Sequence, residues 1–339
     1  VLPGGAADPR PGLDQARVAE RLGMGAVWIG ERYDTKDLPS LAGALSQVTH
    51  RVAIGAAVTS PGLRHPMVLA SMGQTLQCLT NERFRLGLGR SASWRWRRYG
   101  VPAPTLASLA DIAGILRNLW AGRTVTYDGP AGRFPELRLA QRANVVPPAL
   151  FLAAVGPRTL ELAGRCFDGV ILHPFLTAEA VRRSIRVVRS AARAAGRRPE
   201  TVLCVATVVT ACERAPGDVD LLVRARAAGY FQVQGLGEAL VWANGWDSDD
   251  LRRYRAHPLL AALADRPADK SLTREQLVEV SRALPEPWIE TAAVVGDAAT
   301  CAERLLSYLE AGADELILHG GTAETLAPLA AALGGAQSA

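Results

Sequence analysis

The sequence predicts an α/β fold, a (β/α)8 TIM barrel that forms one domain over residues 1–339, with an insertion at 213–290 after the seventh strand. Three observations carry this. The 339 residues exceed an ordinary domain of roughly 100–200 but suit one barrel of about 250 with insertions. Short apolar runs of the kind that make buried parallel strands recur, each followed by a segment of helical spacing, the mark of repeated βα units. Their number is eight. An open doubly wound sheet usually has fewer strands and a GxGxxG fingerprint at its first βα turn, and the turn here is Gly4-Gly5-Ala6-Ala7-Asp8.

In chain order the strands are expected near Val1–Pro3, Ala26–Gly30, Val52–Val58, Phe84–Leu88, Ala149–Ala154, Gly169–His173, Thr201–Val209 and Glu315–His319. The first is short and opens on Val rather than Met, so native residues are expected ahead of Val1. Two segments interrupt the repeat. Gly122–Leu139 carries Tyr127-Asp128-Gly129-Pro130, a hairpin turn. Glu213–Glu290 is long and holds Tyr230, Phe231, Trp242, Trp246 and Trp288; it is read as a lid over the substrate, or else as a packing appendage or dimer contact.

Composition narrows the function. Hydrophobic residues make up 49% and charged residues 21%, a globular balance. No apolar stretch approaches the ~20 residues of a membrane span, and Val1–Arg10 lacks the basic-then-apolar order of a signal peptide, so no membrane contact and a cytoplasmic location are expected. The five cysteines, at 78, 166, 204, 212 and 301, show no CxxC spacing and read as reduced thiols. The charge of +5 comes from arginines scattered over helices such as Arg182, Arg183, Arg186 and Arg189, a solvated face rather than a nucleic-acid groove. The histidines at 50, 65, 173, 257 and 319 form neither HxH nor HExxH, and no metal is expected. With no nucleophile elbow or Walker loop either, redox chemistry on a bound cofactor is the class least contradicted.

Active sites of such barrels lie at the C-terminal ends of the strands, and polar residues collect there: Glu31 and Arg32, Thr59 and Ser60, Arg90 and Ser91, His173, His319. Ala153-Ala154-Val155-Gly156-Pro157 joins a strand to a helix whose first turn accommodates the proline. Its free amides and helix dipole make an anion site for a cofactor phosphate, or else a tight turn and no more. Gly89, Arg90 and Ser91 sit where small residues let a flat ring approach, or where a barrel corner needs glycine.

Taken together, the stretches Ala16–Tyr33, Val52–Pro66, Thr75–Ser91, Ile115–Gly122, Pro148–Phe175 and Val295–Gly321 resemble the luciferase-like monooxygenases. The run Ala243-Asn244-Gly245-Trp246-Asp247 looks like the branch dependent on coenzyme F420, a deazaflavin. The resemblance implies that Glu31 and Arg32 stand beside the reactive edge of the ring. Ala57-Val58 falls where relatives carry a non-proline cis peptide backing it, Gly89, Arg90 and Ser91 line its pyrimidine side, and Ala153, Ala154, Val155, Gly156 and Pro157 hold the phosphate. It also implies a homodimer. Two positions depart from the family. Its histidine is Arg32 here, which stays protonated and cannot exchange a proton, and the glutamate of its sugar-phosphate dehydrogenases is replaced near Ala92.

The reading is therefore an oxidoreductase that transfers a hydride between F420 and a small organic substrate. Glu31 is the favoured acid/base residue and His173 the second choice; Glu31 paired with Arg32 as a mere shaper of the mouth is the competing role. FMN is the alternative cofactor, in an oxygen-activating monooxygenase, and a cofactor-binding barrel without turnover is the third possibility. For the anionic tail of F420, Arg90, Arg95, Arg97, Arg98 and Arg158 offer a path, or an ordinary solvated surface.

Overall fold

A computed structural model describes residues 8–264 and 266–336. Its main sheet is parallel, in the order β1 (Ala26–Ile29), β2 (Ala53–Thr59), β3 (Phe84–Leu88), β6 (Ala149–Ala154), β7 (Gly169–Leu172), β8 (Leu203–Cys212) and β10 (Glu315–His319). The antiparallel hairpin of β4 (Val125–Gly129) and β5 (Gly132–Leu137) stands apart, at the predicted turn. Val1–Pro3, expected as the first strand, lies outside the described residues.

Two cores explain why this sheet curls. Residues facing outward from the strands pack with the surrounding helices in one large cluster. The inward residues Trp28, Phe151, Ile171, Val205 and Ile317 form a second, smaller cluster. Because β1 and β10 lie at opposite ends of the strand order yet share that cluster, the sheet must close on itself. Volume is matched across the interior: the Trp28 and Phe151 rings meet edge to face at 5.7 Å, and a Cβ on Gly55 would sit 2.2 Å from Trp28 and one on Gly169 2.2 Å from Phe151. Below them Arg85 of β3 reaches Glu315 of β10 at 2.6 Å.

At the N-terminal ends, carboxylates cap the strand starts. Glu20 accepts from the amides of Arg51 at 2.7 Å and Val52 at 3.0 Å, Asp168 from Leu150 at 2.8 Å, and Asp314 from Cys204 at 2.7 Å. These contacts hold the closed end of the barrel together, which leaves the opposite end for chemistry.

Among the described residues every element of the segment between β8 and the next strand is a helix, from Pro216–Val219 through Glu286–Ala292. The segment returns in β9 (Ala293–Gly296), which pairs with the far half of β8, Cys212 opposite Gly296. β9 was not expected from the sequence, and it explains why β8 runs past the predicted Val209 to Cys212.

Candidate active site

Side chains alternate across each strand, so the interior is layered. Two residues above the Trp28 layer, the inward positions are Gly30, Ala57, Gly89 and Ala153 on one side and His173, Thr207 and His319 on the other. The first half has almost no side chains and forms a shelf; the second is polar.

The shelf is shaped by β2. Its register with β3 breaks between Ala56 and Thr59, and the Ala57-Val58 peptide is cis, as the resemblance implies. The glycines of β3 make the bulge possible: a Cβ on Gly87 would meet the Ala56 carbonyl at 2.1 Å, and one on Gly89 would meet Val58 Cγ2 at 2.4 Å. Gly89 thus shapes the shelf through Val58.

Glu31 follows β1 directly and its side chain is 1% exposed. Its ion-pair partner is not Arg32 but Arg64, which binds Glu31 Oε1 and also Asp37 at 3.0 Å. The other carboxylate oxygen, Oε2, is buried and makes no hydrogen bond, and neither does the buried Ser60 hydroxyl. Beside them the Tyr33 hydroxyl accepts from the Ser60 amide at 2.7 Å and lies 3.2 Å from Thr59 Oγ1. Burial, reinforced by the Glu31 charge, pushes this phenol up to about 12, so it stays protonated. Arg32 pairs instead with Asp269 at 3.3 Å.

His173 follows β7. Its Nδ1 lies 2.9 Å from the Pro174 carbonyl, which only accepts, so Nδ1 carries the proton and Nε2 is left as an acceptor. Burial pushes this imidazole down to about 4; it is neutral at pH 7. Its ring packs edge to face on Tyr230 at 4.8 Å, a residue of the insertion helix Ala225–Gln232. A second insertion helix, Ala268–Ser271, reaches the mouth through Asp269 and through Lys270, which pairs with Asp34 at 3.1 Å. The insertion therefore meets the C-terminal end of the barrel.

Gly156 N-caps the helix Pro157–Cys166 with no side chain closing the first turn, and nothing lies within 4 Å of where its Cβ would be. Arg90 and Ser91 are held locally: Arg90 Nε donates to the Pro104 carbonyl at 2.9 Å and its guanidinium covers Trp96, while Ser91, at φ +64°, accepts from Arg95 at 2.7 Å. Among the described residues no group of three or more His, Cys, Asp or Glu is placed to hold a metal.

Arg64 and Tyr33 escaped sequence reasoning. Tyr33 lies two positions past Glu31 and was within reach of a strand-end rule. Arg64 comes from a loop, where no strand-end rule points.

A parallel barrel with a buried carboxylate at its C-terminal mouth and a bare shelf beside it is the frame of an enzyme that works on a flat ligand. The chain belongs to the luciferase-like monooxygenase family, whose model matches residues 2–315. It is 33% identical over 192 residues to a 5,10-methylenetetrahydromethanopterin reductase of Methanolobus tindarius, a match spanning 55% of this chain and 57% of that protein. It is 28% identical over 338 residues to an F420-dependent glucose-6-phosphate dehydrogenase of Beutenbergia cavernae, covering 94% of this chain and 90% of that one. The coenzyme F420-dependent tetrahydromethanopterin reductase of Methanopyrus kandleri superimposes with a TM-score of 0.79 at 17% identity, over 95% of this chain and 94% of the other, which shows the shared fold.

Among the described residues no helix is long and apolar enough to cross a membrane.

Proposed function

We propose that the protein is an oxidoreductase that transfers a hydride between coenzyme F420 and a small organic substrate. The observation that carries this reading is the buried, unpartnered Glu31 Oε2 beside the shelf of Gly30, Ala57, Gly89 and Ala153. A buried carboxylate oxygen without a donor is costly, and a ligand on the shelf would supply one. The names of the relatives support F420 as that ligand.

The residues fit the group. Gly156 and the uncapped amides after it would hold a phosphate, Val58 and the Ala57-Val58 peptide would back the ring, and Gly89, Arg90 and Ser91 would present backbone along its edge. When bound, F420 supplies a two-electron carrier that gives or takes a hydride. Arg64 fixes Glu31 Oε1 and leaves Oε2 to hold or release the proton that accompanies the hydride at the substrate. His173 offers the Nε2 lone pair to a substrate hydroxyl and so orients it. Arg32 contributes charge and hydrogen bonds only. The insertion, residues 213–290, acts as a lid that keeps water from the mouth.

The test is to purify the protein from a deazaflavin-producing host and record the absorption spectrum and mass of what co-elutes, then to titrate F420 and FMN at low and high salt. F420 is expected to bind more tightly, with a steeper loss on adding salt if exposed arginines such as Arg98 and Arg158 meet its anionic tail. Tighter FMN binding at every ionic strength overturns the assignment in favour of the flavin monooxygenase.

We also propose a homodimer working in the cytoplasm. The uncharged exposed positions Val68, Ser71, Thr75, Cys78 and Leu79 of the helix Pro66–Thr80 support the first, and five free cysteines support a reducing compartment. Light scattering in dilute solution checks the dimer.

A further inference from the structure

The polar half of the mouth is built around a cation. Arg226 and Tyr230 lie one turn apart on the insertion helix Ala225–Gln232 and so share a face. Tyr230 packs on His173, at the end of β7. Arg226 reaches the end of β10, where its Nη1 would come within 3.6 Å of a Cβ on Gly320; glycine, at φ +138°, leaves that space open.

Arg226 is half-buried, and among the described residues its hydrogen-bond partner is the Leu222 carbonyl, one turn back on its own helix. No described carboxylate lies within salt-bridge distance of it. The charge that faces it is Arg32, which repels it. Both neighbouring imidazoles are neutral: burial lowers His173, and burial together with Arg226 holds His319 well below its ordinary value. Withdrawing a guanidinium from water without a counter-charge costs several kcal/mol, and a planar donor fork is suited to carboxylate or phosphate. The carboxylates nearby are committed, Asp269 to Arg32, Asp34 to Lys270 and Glu31 to Arg64.

We infer that the substrate carries an oxyanion, a carboxylate or a phosphate, which docks on Arg226 with Arg32 at its rim. The inference rests on the proposed function in taking this oxyanion to belong to the hydride partner. It also gives the Arg32 departure from the family a role: a fixed charge at the position of a histidine assists an anionic substrate without exchanging a proton.

The test uses the protein saturated with F420, so that the cofactor's own phosphate site is filled. Inorganic phosphate and succinate are titrated separately by calorimetry at constant ionic strength. At least one is expected to bind, and binding should weaken by at least about tenfold in Arg226→Gln, recover in part in Arg226→Lys, and stay unchanged in the outer-surface control Arg186→Gln. The anion that binds tells carboxylate from phosphate. Should Arg226→Gln not fold, phenylglyoxal labelling of the wild-type protein, read by mass spectrometry, replaces it: the anion should slow modification of Arg226. Failure of both anions to bind, equal affinity in Arg226→Gln, or no protection of Arg226 overturns the inference. A wild-type protein that binds F420 but neither anion loses only this inference; one that binds an anion at Arg226 but no F420 loses the proposed cofactor instead.

Discussion

Gly89→Ala tests whether the shelf is held by the fit of β3 against the β2 bulge. The added Cβ would stand 2.4 Å from Val58 Cγ2 and an acceptable 3.5 Å from the Ala153 methyl, so the conflict lies with one side chain. Overpacking of this kind costs about 1–3 kcal/mol; about 2 is expected here, because Val58 is half-buried and has some room to give. Val58→Ala alone removes two methyl groups from a half-buried position, about 1 kcal/mol. In the double variant the new methyl of residue 89 occupies space that Val58 gave up, and the total loss should be about 1 kcal/mol rather than the additive 3. The coupling energy is then about −2 kcal/mol. Urea unfolding followed by circular dichroism, with m-values compared between variants, measures it, and F420 affinity should fall in Gly89→Ala and recover in the double variant. Additivity within about 0.5 kcal/mol would refute the claim that Gly89 acts through Val58.

Other expectations can be measured alongside. Glu31→Gln should lower turnover by about 10²- to 10⁴-fold and leave F420 affinity within a few fold; undiminished turnover would move the proton role to His173 or water. Arg64→Gln strips the described partner from a buried carboxylate and should cost about 3–5 kcal/mol by denaturation at pH 7, a loss that Arg64→Gln combined with Glu31→Gln should largely remove. His173 is pushed down from 6.5 to about 4 by burial, so the unfolded chain binds its proton more readily between those values. Its contribution to stability is full above pH 6.5 and is lost as pH falls toward 4, by up to about 3 kcal/mol. His173→Gln should flatten that part of the pH–stability curve.

The barrel was legible in the sequence because its strands are buried on both faces and read as apolar runs. β3, β6 and β10 have the predicted limits, and the other described barrel strands differ at their ends. β9 was hidden for a physical reason: it has four residues, follows the helix Glu286–Ala292 without a loop, and is a strand only because β8 offers it an edge. The site was half legible. Glu31, His173 and the Ala57-Val58 bulge sit on or directly after strands, where position along the chain predicts position in space. The partner of Glu31 does not: Arg64 is 33 residues away and reaches it only once the Pro61–Leu63 turn has folded back. The Glu31–Arg32 pairing drawn from adjacency fails because successive residues diverge, one into the mouth and the other toward Asp269.

The pairing of β8 with β9 has a consequence for how such a protein can change. Since Cys212 and Gly296 are register neighbours, everything between them leaves and re-enters the barrel at one point, like a cartridge in a socket. The shelf residues lie on or directly after β1, β2, β3 and β6, while Arg226 and Tyr230 travel with the cartridge. Exchanging it for that of a relative should therefore retarget the enzyme to another substrate while its redox partner stays the same, and a lineage can diversify by trading that one piece.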